Sequence, residues 1–95
     1  MNTNIFPKML RIRWRWDGDN ADYITYENPS TGALSVLNPL AAAIFSKCDG
    51  NSSVDDIVKQ IYAEFSAPDE DTVNKDVVNF VQYLEKIGAV TLLSG

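Results

Sequence analysis

The sequence predicts a small α+β domain, in which a three-stranded antiparallel meander is followed by three helices. Residues 8–37 contain three segments in which apolar and polar residues alternate, separated by short turn motifs. Residues 38–87 contain three segments with the 3.6-residue apolar spacing of helices. The chain has 95 residues, which predicts one domain over 1–95 with a core of about residues 8–93.

The first predicted strand spans residues 8–16, KMLRIRWRW. One face carries the apolar residues Leu10, Ile12, Trp14 and Trp16, and the other carries Arg11, Arg13 and Arg15. This alternation predicts tryptophans in the core beneath a solvated arginine face. Single-stranded nucleic-acid binding is disfavoured, because it needs aromatic and basic groups on one surface. The arginine face remains a candidate dock for an acidic partner.

Two turns connect the remaining strands. Asp17–Asn20 contains an Asp-Gly hairpin signal, and the second strand follows over residues 21–27. Residues 28–32 supply Pro and Gly for the second turn, and the third strand spans residues 33–37. Its alternation predicts that Leu34 and Val36 face the core. In the order one-two-three, this third strand is an edge whose outer N–H and C=O groups are unpaired unless something covers them.

The third strand is expected to turn directly into the first helix. Asn38 is a suitable N-cap, and Pro39 suits the first helical position because its missing N–H is not needed there. Gly50, which follows Asp49, is expected to stop this helix. The strand and helix should therefore form a rigid corner.

Two further helices follow. Ser53 with Asp56, or Ser52 with Asp55, approximates a capping box for a helix over about 53–66. Residues 67–68 (Ala-Pro) break it, and the acids at 69–71 favour the positive end of a third helix that Gly88 stops. Residues 89–93 either form a short final strand or simply pack on the core. The order predicts a winged-helix-like arrangement.

Charge and composition favour a binding module over an enzyme. The net charge is −5, with +4 in residues 1–16 and 13 acids against four lysines in the remainder. The chain has no histidine and one cysteine, Cys48, so we expect no catalytic residue, no metal and no cofactor. Cys48 is expected to be a small buried residue. With no membrane span or signal peptide expected, the prediction is a cytoplasmic protein.

Several local features together resemble the PqqD-like family, the peptide chaperones of pyrroloquinoline quinone biosynthesis and related RiPP recognition elements. They are the segment 26–37, the corner Leu37-Asn38-Pro39 with Ala41, Ala42, Ile44 and Phe45, the helix end Cys48-Asp49-Gly50, and Val54-Asp55-Asp56-Ile57, Asp76-Val77, Phe80, Leu84 and Gly88 downstream. The resemblance covers roughly residues 10–93. No single residue carries it; the series with its downstream spacing does.

The resemblance implies a non-catalytic winged-helix-like domain that binds the leader segment of a ribosomally made precursor peptide. Relatives add the leader as a strand against the third strand, beside the third helix, and present the peptide to a separate enzyme such as a radical SAM enzyme or leader protease. Carried onto this chain, the expected peptide-binding residues are Ala33, Leu34, Ser35, Val36, Leu37, Lys75, Val78, Asn79, Gln82 and Tyr83. Apart from the resemblance, the face of Arg11, Arg13 and Arg15 is expected to be solvated, and the alternative is a dock for an acidic leader or for the partner enzyme. Ordinary boundary packing is the alternative for Val78 and Tyr83.

The alternative function is a small winged-helix nucleic-acid-binding regulator. It requires a basic third helix, yet that helix carries Lys75 and Lys86 against Asp76 and Glu85 on its outer face. We therefore expect no nucleic-acid partner and no membrane partner. The open edge strand leaves both a monomer and an edge-paired dimer as expected states.

Overall fold

Two antiparallel sheets and three helices make up the fold in the computed structural model, which describes residues 3–66 and 69–94. The strands are β1 (Ile5–Met9), β2 (Trp14–Asp17), β3 (Tyr23–Glu27), β4 (Leu34–Leu37) and β5 (Val90–Ser94). The helices are α1 (Pro39–Ser46), α2 (Val54–Phe65) and α3 (Glu70–Lys86). One sheet has the order β2-β3-β4, and β1 pairs with β5 in the other. The α+β class and the meander followed by helices are confirmed.

The segment predicted as one strand over 8–16 is two strands in different sheets. β1 pairs with β5, and the N–H of Leu10 donates to the carbonyl of Ala89 at 2.9 Å. The chain then crosses to the other sheet, where β2 pairs with β3. The single-strand prediction was wrong because alternation reports which face a side chain occupies and not which strand lies alongside. The optional final strand is confirmed as β5.

The two tryptophans of β2 lie on the expected face but are not core residues. The register pairs Trp14 with Tyr26 and Trp16 with Ile24, both of which are buried. Trp14 also meets Phe45 of α1 edge-on, with ring centroids 5.3 Å apart. Even so, Trp14 and Trp16 are 40% and 42% exposed, because β2 is an outer strand of its sheet. The prediction of core tryptophans was therefore wrong.

β4 presents the face opposite to the one predicted. Its register pairs Ser35 with Tyr26 and Leu37 with Ile24, so Leu37 is the buried residue of the strand. Leu34 and Val36 consequently point to solvent, with 75% and 66% of their surface exposed. A period of two cannot decide which alternate set faces the core, and the register of the hairpin decides it here.

The strand-to-helix corner forms as predicted at its start. The side-chain oxygen of Asn38 accepts the N–H of Ala41 at 2.8 Å, and Pro39 occupies the first turn of α1. The helix ends at Ser46, earlier than expected. Gly50 instead serves the contact with β1, because its positive φ of 82° brings its backbone against Lys8, where an added Cβ would lie 3.2 Å from the side chain.

The second helix begins at the first of the two predicted capping boxes, and the third begins at the predicted acids, with Asp69 as its N-cap. Ser53 and Asp56 form a reciprocal capping box at 3.0 and 3.1 Å, and Asp69 accepts the N–H of Thr72 at 2.7 Å. The expected break at 67–68 lies outside the described residues. No helix within the described ranges is long and apolar enough to cross a membrane. The largest fully buried side chains join the inner sheet face to all three helices: Phe45, Ile24, Ile57, Ile61, Leu84, Val54, Val58, Val77 and Val81.

Candidate functional site

The outer edge of β4 is open among the residues that the structure describes, since only β3 lies beside it. The N–H of Asn28 donates to the carbonyl of Ala33 at 2.8 Å, which marks their position as a hydrogen-bonded pair of the hairpin. In an antiparallel ladder such pairs alternate, so the backbone groups of Leu34 and Val36 point away from β3. These two residues therefore offer N–H donors and C=O acceptors to a further strand.

α3 approaches the same part of the sheet through Tyr83. The side chain of the buried Tyr26 on β3 interacts with those of Tyr83 and Ser35, the latter being its cross-strand neighbour on β4. Burial, followed by the interaction with Tyr83, raises the pKa of Tyr26 to about 12. Tyr83 is 44% exposed, so part of its side chain remains accessible to a ligand beside this contact. The inner face of β4 and the C-terminal half of α3 are therefore neighbours.

A cavity of about 280 Å³ lies between the three helices. Its lining is mostly apolar: Leu40, Ile44, Ile61, Phe65, Thr72, Val73, Asp76 and Val77. Leu40 belongs to the first turn of α1, directly after β4 and its Asn38 cap, so the cavity begins near the C-terminal end of the open edge. Asp76 contributes the one carboxylate of this lining. The cavity can accept an apolar side chain and a neighbouring hydrogen-bond donor or cation.

The cavity and Tyr83 use the same margin of α3. Thr72, Asp76 and Tyr83 follow one another at spacings of four and seven residues, which places them along one side of the helix. Asn79, three residues after Asp76 and four before Tyr83, lies on the same side of the helix. Of the predicted residues, Ser35 and Tyr83 both interact with the buried Tyr26, and Asn79 lies one helical turn before Tyr83.

The other residues predicted on α3 lie elsewhere. Val78 is half-buried and packs against the core from the opposite margin, and Lys75 and Gln82 are exposed on the outer side of the helix. The cavity residues Leu40 and Asp76 were missed by the sequence reasoning. Leu40 could have been identified from the sequence, because its spacing of four residues from Ile44 places both side chains on one face of α1. A binding role for any of these residues remains a prediction.

The second face of the β2-β3-β4 sheet carries the arginines. The register aligns Arg15 with Thr25 and Val36, and the N–H of Glu27 donates to the Arg13 carbonyl at 2.8 Å. A cavity of about 300 Å³ lies over this face, lined by Arg13, Trp14, Arg15, Thr25, Tyr26, Glu27 and Leu34. Arg11 lies in the crossing segment between β1 and β2, so the three arginines do not share one strand face as predicted.

Hydrogen bonds already engage part of this face. The carboxylate of Asp17 accepts the Thr25 hydroxyl at 2.8 Å and the Arg15 Nε–H at 3.1 Å. The interaction with Thr25, and then that with Arg15, lowers the pKa of Asp17. Arg15 is thus partly neutralised, whereas Arg13 makes no ion pair with any acid in the described part of the chain.

Cys48 has the environment of a structural thiol. It is buried, its Sγ lies 3.4 Å from the carbonyl of Ile44, and burial raises the pKa of the thiol to about 12. A thiolate is the reactive form of cysteine, so this group is a poor nucleophile near neutral pH. The prediction of a small buried residue near a helix end is confirmed.

These features define a small α+β domain with an open strand edge and a mostly apolar cavity between its helices. The family model described as coenzyme PQQ synthesis protein D (PqqD) matches residues 28–90, about two thirds of the chain. The chain belongs to this family, whose members are non-catalytic, peptide-binding proteins of PQQ synthesis. The match contains β4, all three helices and the cavity between them. No curated protein and no solved structure matches the chain significantly.

Proposed function

We propose that this protein binds the leader segment of a ribosomally made precursor peptide and presents the peptide to a separate modifying enzyme. The proposal depends chiefly on the open edge of β4, at which Leu34 and Val36 offer unpaired backbone groups. Ser35, which lies between them, and Tyr83 of α3 both interact with the buried Tyr26, so the space between this edge and the Tyr83 margin of α3 would be the peptide groove. Membership in a family of peptide-binding proteins supports it.

Binding would occur by strand addition. The peptide backbone would pair with Leu34 and Val36, which gives affinity that depends little on sequence. Side chains of the added strand that point toward the helices would meet Tyr83 and the cavity bordered by Leu40 and Asp76. The apolar lining selects an apolar side chain there, because its burial removes apolar surface from water.

The modifying enzyme would dock elsewhere on the molecule. The arginine face lies on the side of the sheet opposite the helices, so a partner bound at Arg13 and Arg15 leaves the β4 edge accessible along the helix side. A radical SAM enzyme or a leader protease fits this role. The domain itself would supply no catalytic group and would act in the cytoplasm with its precursor.

Calorimetric titration of the unmodified precursor encoded beside the gene tests the proposed function. We expect saturable binding with a Kd in the micromolar range or below, and no binding of a scrambled leader with the same composition. Random duplex DNA at low salt is the second titrant. Tight, salt-sensitive binding of the duplex without binding of the precursor would replace the proposal with the nucleic-acid regulator.

A further inference from the structure

We infer that the outer face of β4 also reads the bound peptide, and that the recognised class is a β-forming segment with apolar residues on both of its faces. The inference rests on the proposed strand addition at the same edge. It adds Leu34 and Val36 side chains as specificity determinants, whereas the proposed function uses only their backbone groups.

Leu34 and Val36 are the two most exposed large hydrophobic residues in the described part of the chain, at 75% and 66%. The solvent face of an antiparallel sheet is ordinarily polar. On the β3 side their cross-strand neighbours are indeed polar, since Leu34 lies opposite Glu27 and Val36 lies opposite Thr25. An apolar cross-strand neighbour could therefore be supplied only from the open edge.

The register of an added strand places peptide residues beside both side chains. Residues directly opposite one another in neighbouring antiparallel strands point to the same face, with Cβ atoms about 4.5–5.5 Å apart. The two peptide residues opposite Leu34 and Val36 are thus two positions apart and point outward. The peptide residue between them points inward, toward Tyr83 and the helices.

Apolar contacts on both faces require consecutive apolar residues in the peptide. The inward residue meets Tyr83 or the helix cavity, and its two neighbours meet Leu34 and Val36. A strand with apolar contacts on both faces reads as a near-continuous apolar run, whereas a strand with one apolar face alternates. The preferred ligand is therefore a peptide with at least three consecutive apolar residues, β-branched or aromatic by preference.

Selection from a random library of linear dodecapeptides by mRNA display tests this inference. The wild type is compared with the double variant Leu34→Thr/Val36→Thr, which keeps the backbone groups and β-propensity but removes the apolar surface. Leu93→Thr on β5 is the control, since it removes an apolar residue that is 40% exposed from the other sheet. Circular dichroism checks that all three proteins are folded.

We expect peptides selected on the wild type and on Leu93→Thr to contain runs of three or more apolar residues. The double variant should select alternating patterns and bind the wild-type peptides about tenfold more weakly, at about threefold per lost pair. If the double variant selects the same apolar runs and binds them as tightly as the wild type, the side chains of Leu34 and Val36 do not determine specificity, while strand addition remains intact. Two results would overturn both strand addition and the role of the outer face. One is that the wild type enriches no peptide. The other is that a folded Val36→Pro variant, which lacks the edge N–H, binds the selected peptides as tightly as the wild type.

Discussion

Tyr83 on α3 interacts through its side chain with Tyr26 on β3, and this contact ties the third helix to the sheet where β4 carries Ser35. Tyr26 therefore connects the C-terminal half of α3 to the inner face of β4. Because Tyr26 is buried and Tyr83 is partly exposed, the contact has one side in the core and one side in the groove. It therefore links the packing of the domain to the geometry of the candidate site.

The raised pKa of Tyr26 predicts a loss of stability in alkaline solution. The folded protein holds this proton more tightly than the unfolded chain, since the pKa rises from an ordinary 10.0 to about 12. The resulting stabilisation is fully present below about pH 10 and is lost as the pH rises toward 12. Urea unfolding at pH 8, 10 and 11 should show a steeper decline for the wild type than for Tyr26→Phe. Tyr62→Phe, on the exposed side of α2, is the control for removal of a tyrosine hydroxyl outside this contact.

The Tyr83 margin of α3 is predicted to bind the peptide. Truncation by Tyr83→Ala removes groove surface and should weaken binding of the precursor leader about tenfold, the size of effect typical of an aromatic anchor. Gln82→Ala is the matched control because it truncates an adjacent exposed residue on the outer side of the helix. It should change the Kd less than twofold by calorimetry. A larger loss for Gln82→Ala would place the groove on the other side of α3.

Much of the fold was predictable because it depends on local chemistry. The caps at Asn38, Ser53 and Asp69 satisfy N–H groups within three residues, so adjacent sequence is enough to locate the helix starts. The open edge of β4 also followed from the order of three strands with short turns. Residues 33–37 could be proposed as a pairing strand before any tertiary contact was known.

What the sequence could not supply depends on distant contacts. The partner of β1 is β5, at the other end of the chain, so nothing in residues 8–16 signals the change of sheet. The exposed face of β4 depends on its register with β3, and the groove margin of α3 depends on the distance from Tyr83 to Tyr26. Helical spacing alone did not show which margin of α3 lies toward the sheet.

The charged part of the outer sheet face, Arg13 and Arg15, is predicted to serve the modifying enzyme, whereas Leu34 at the border of the same cavity is assigned to the peptide. Arg13→Gln with Arg15→Gln removes two positive charges from this face, so the modification rate at limiting protein should fall severalfold while leader affinity stays within twofold. Lys59→Gln with Lys86→Gln removes the same charge from α2 and α3 and should leave both quantities near wild type. Added salt should diminish the difference between the two double variants.

If the arginine variant instead weakens leader binding as much as it slows modification, the face contacts the peptide. Equal modification rates for the two double variants would remove the proposed enzyme dock. The pairing of Arg15 with Asp17 is exposed and screened by solvent, so its loss should leave the free energy of unfolding nearly unchanged. Thermal unfolding of both variants checks that neither effect comes from stability.

The backbone edge of β4 is predicted to bind the peptide. Val36→Pro removes an N–H that points away from β3, so the hairpin keeps its own hydrogen bonds while the open edge loses a donor. Val36→Thr is the control, since it keeps the N–H and changes only the side chain. Circular dichroism should show that both variants are folded.

The decisive measurement is the Kd of the precursor leader for wild type, Val36→Thr and Val36→Pro under one set of conditions. Strand addition predicts at most about threefold weaker binding for Val36→Thr. It predicts a loss of tenfold or more for Val36→Pro, because a peptide carbonyl is left without its donor at the edge. A folded Val36→Pro protein that binds the leader as tightly as the wild type would contradict strand addition at β4.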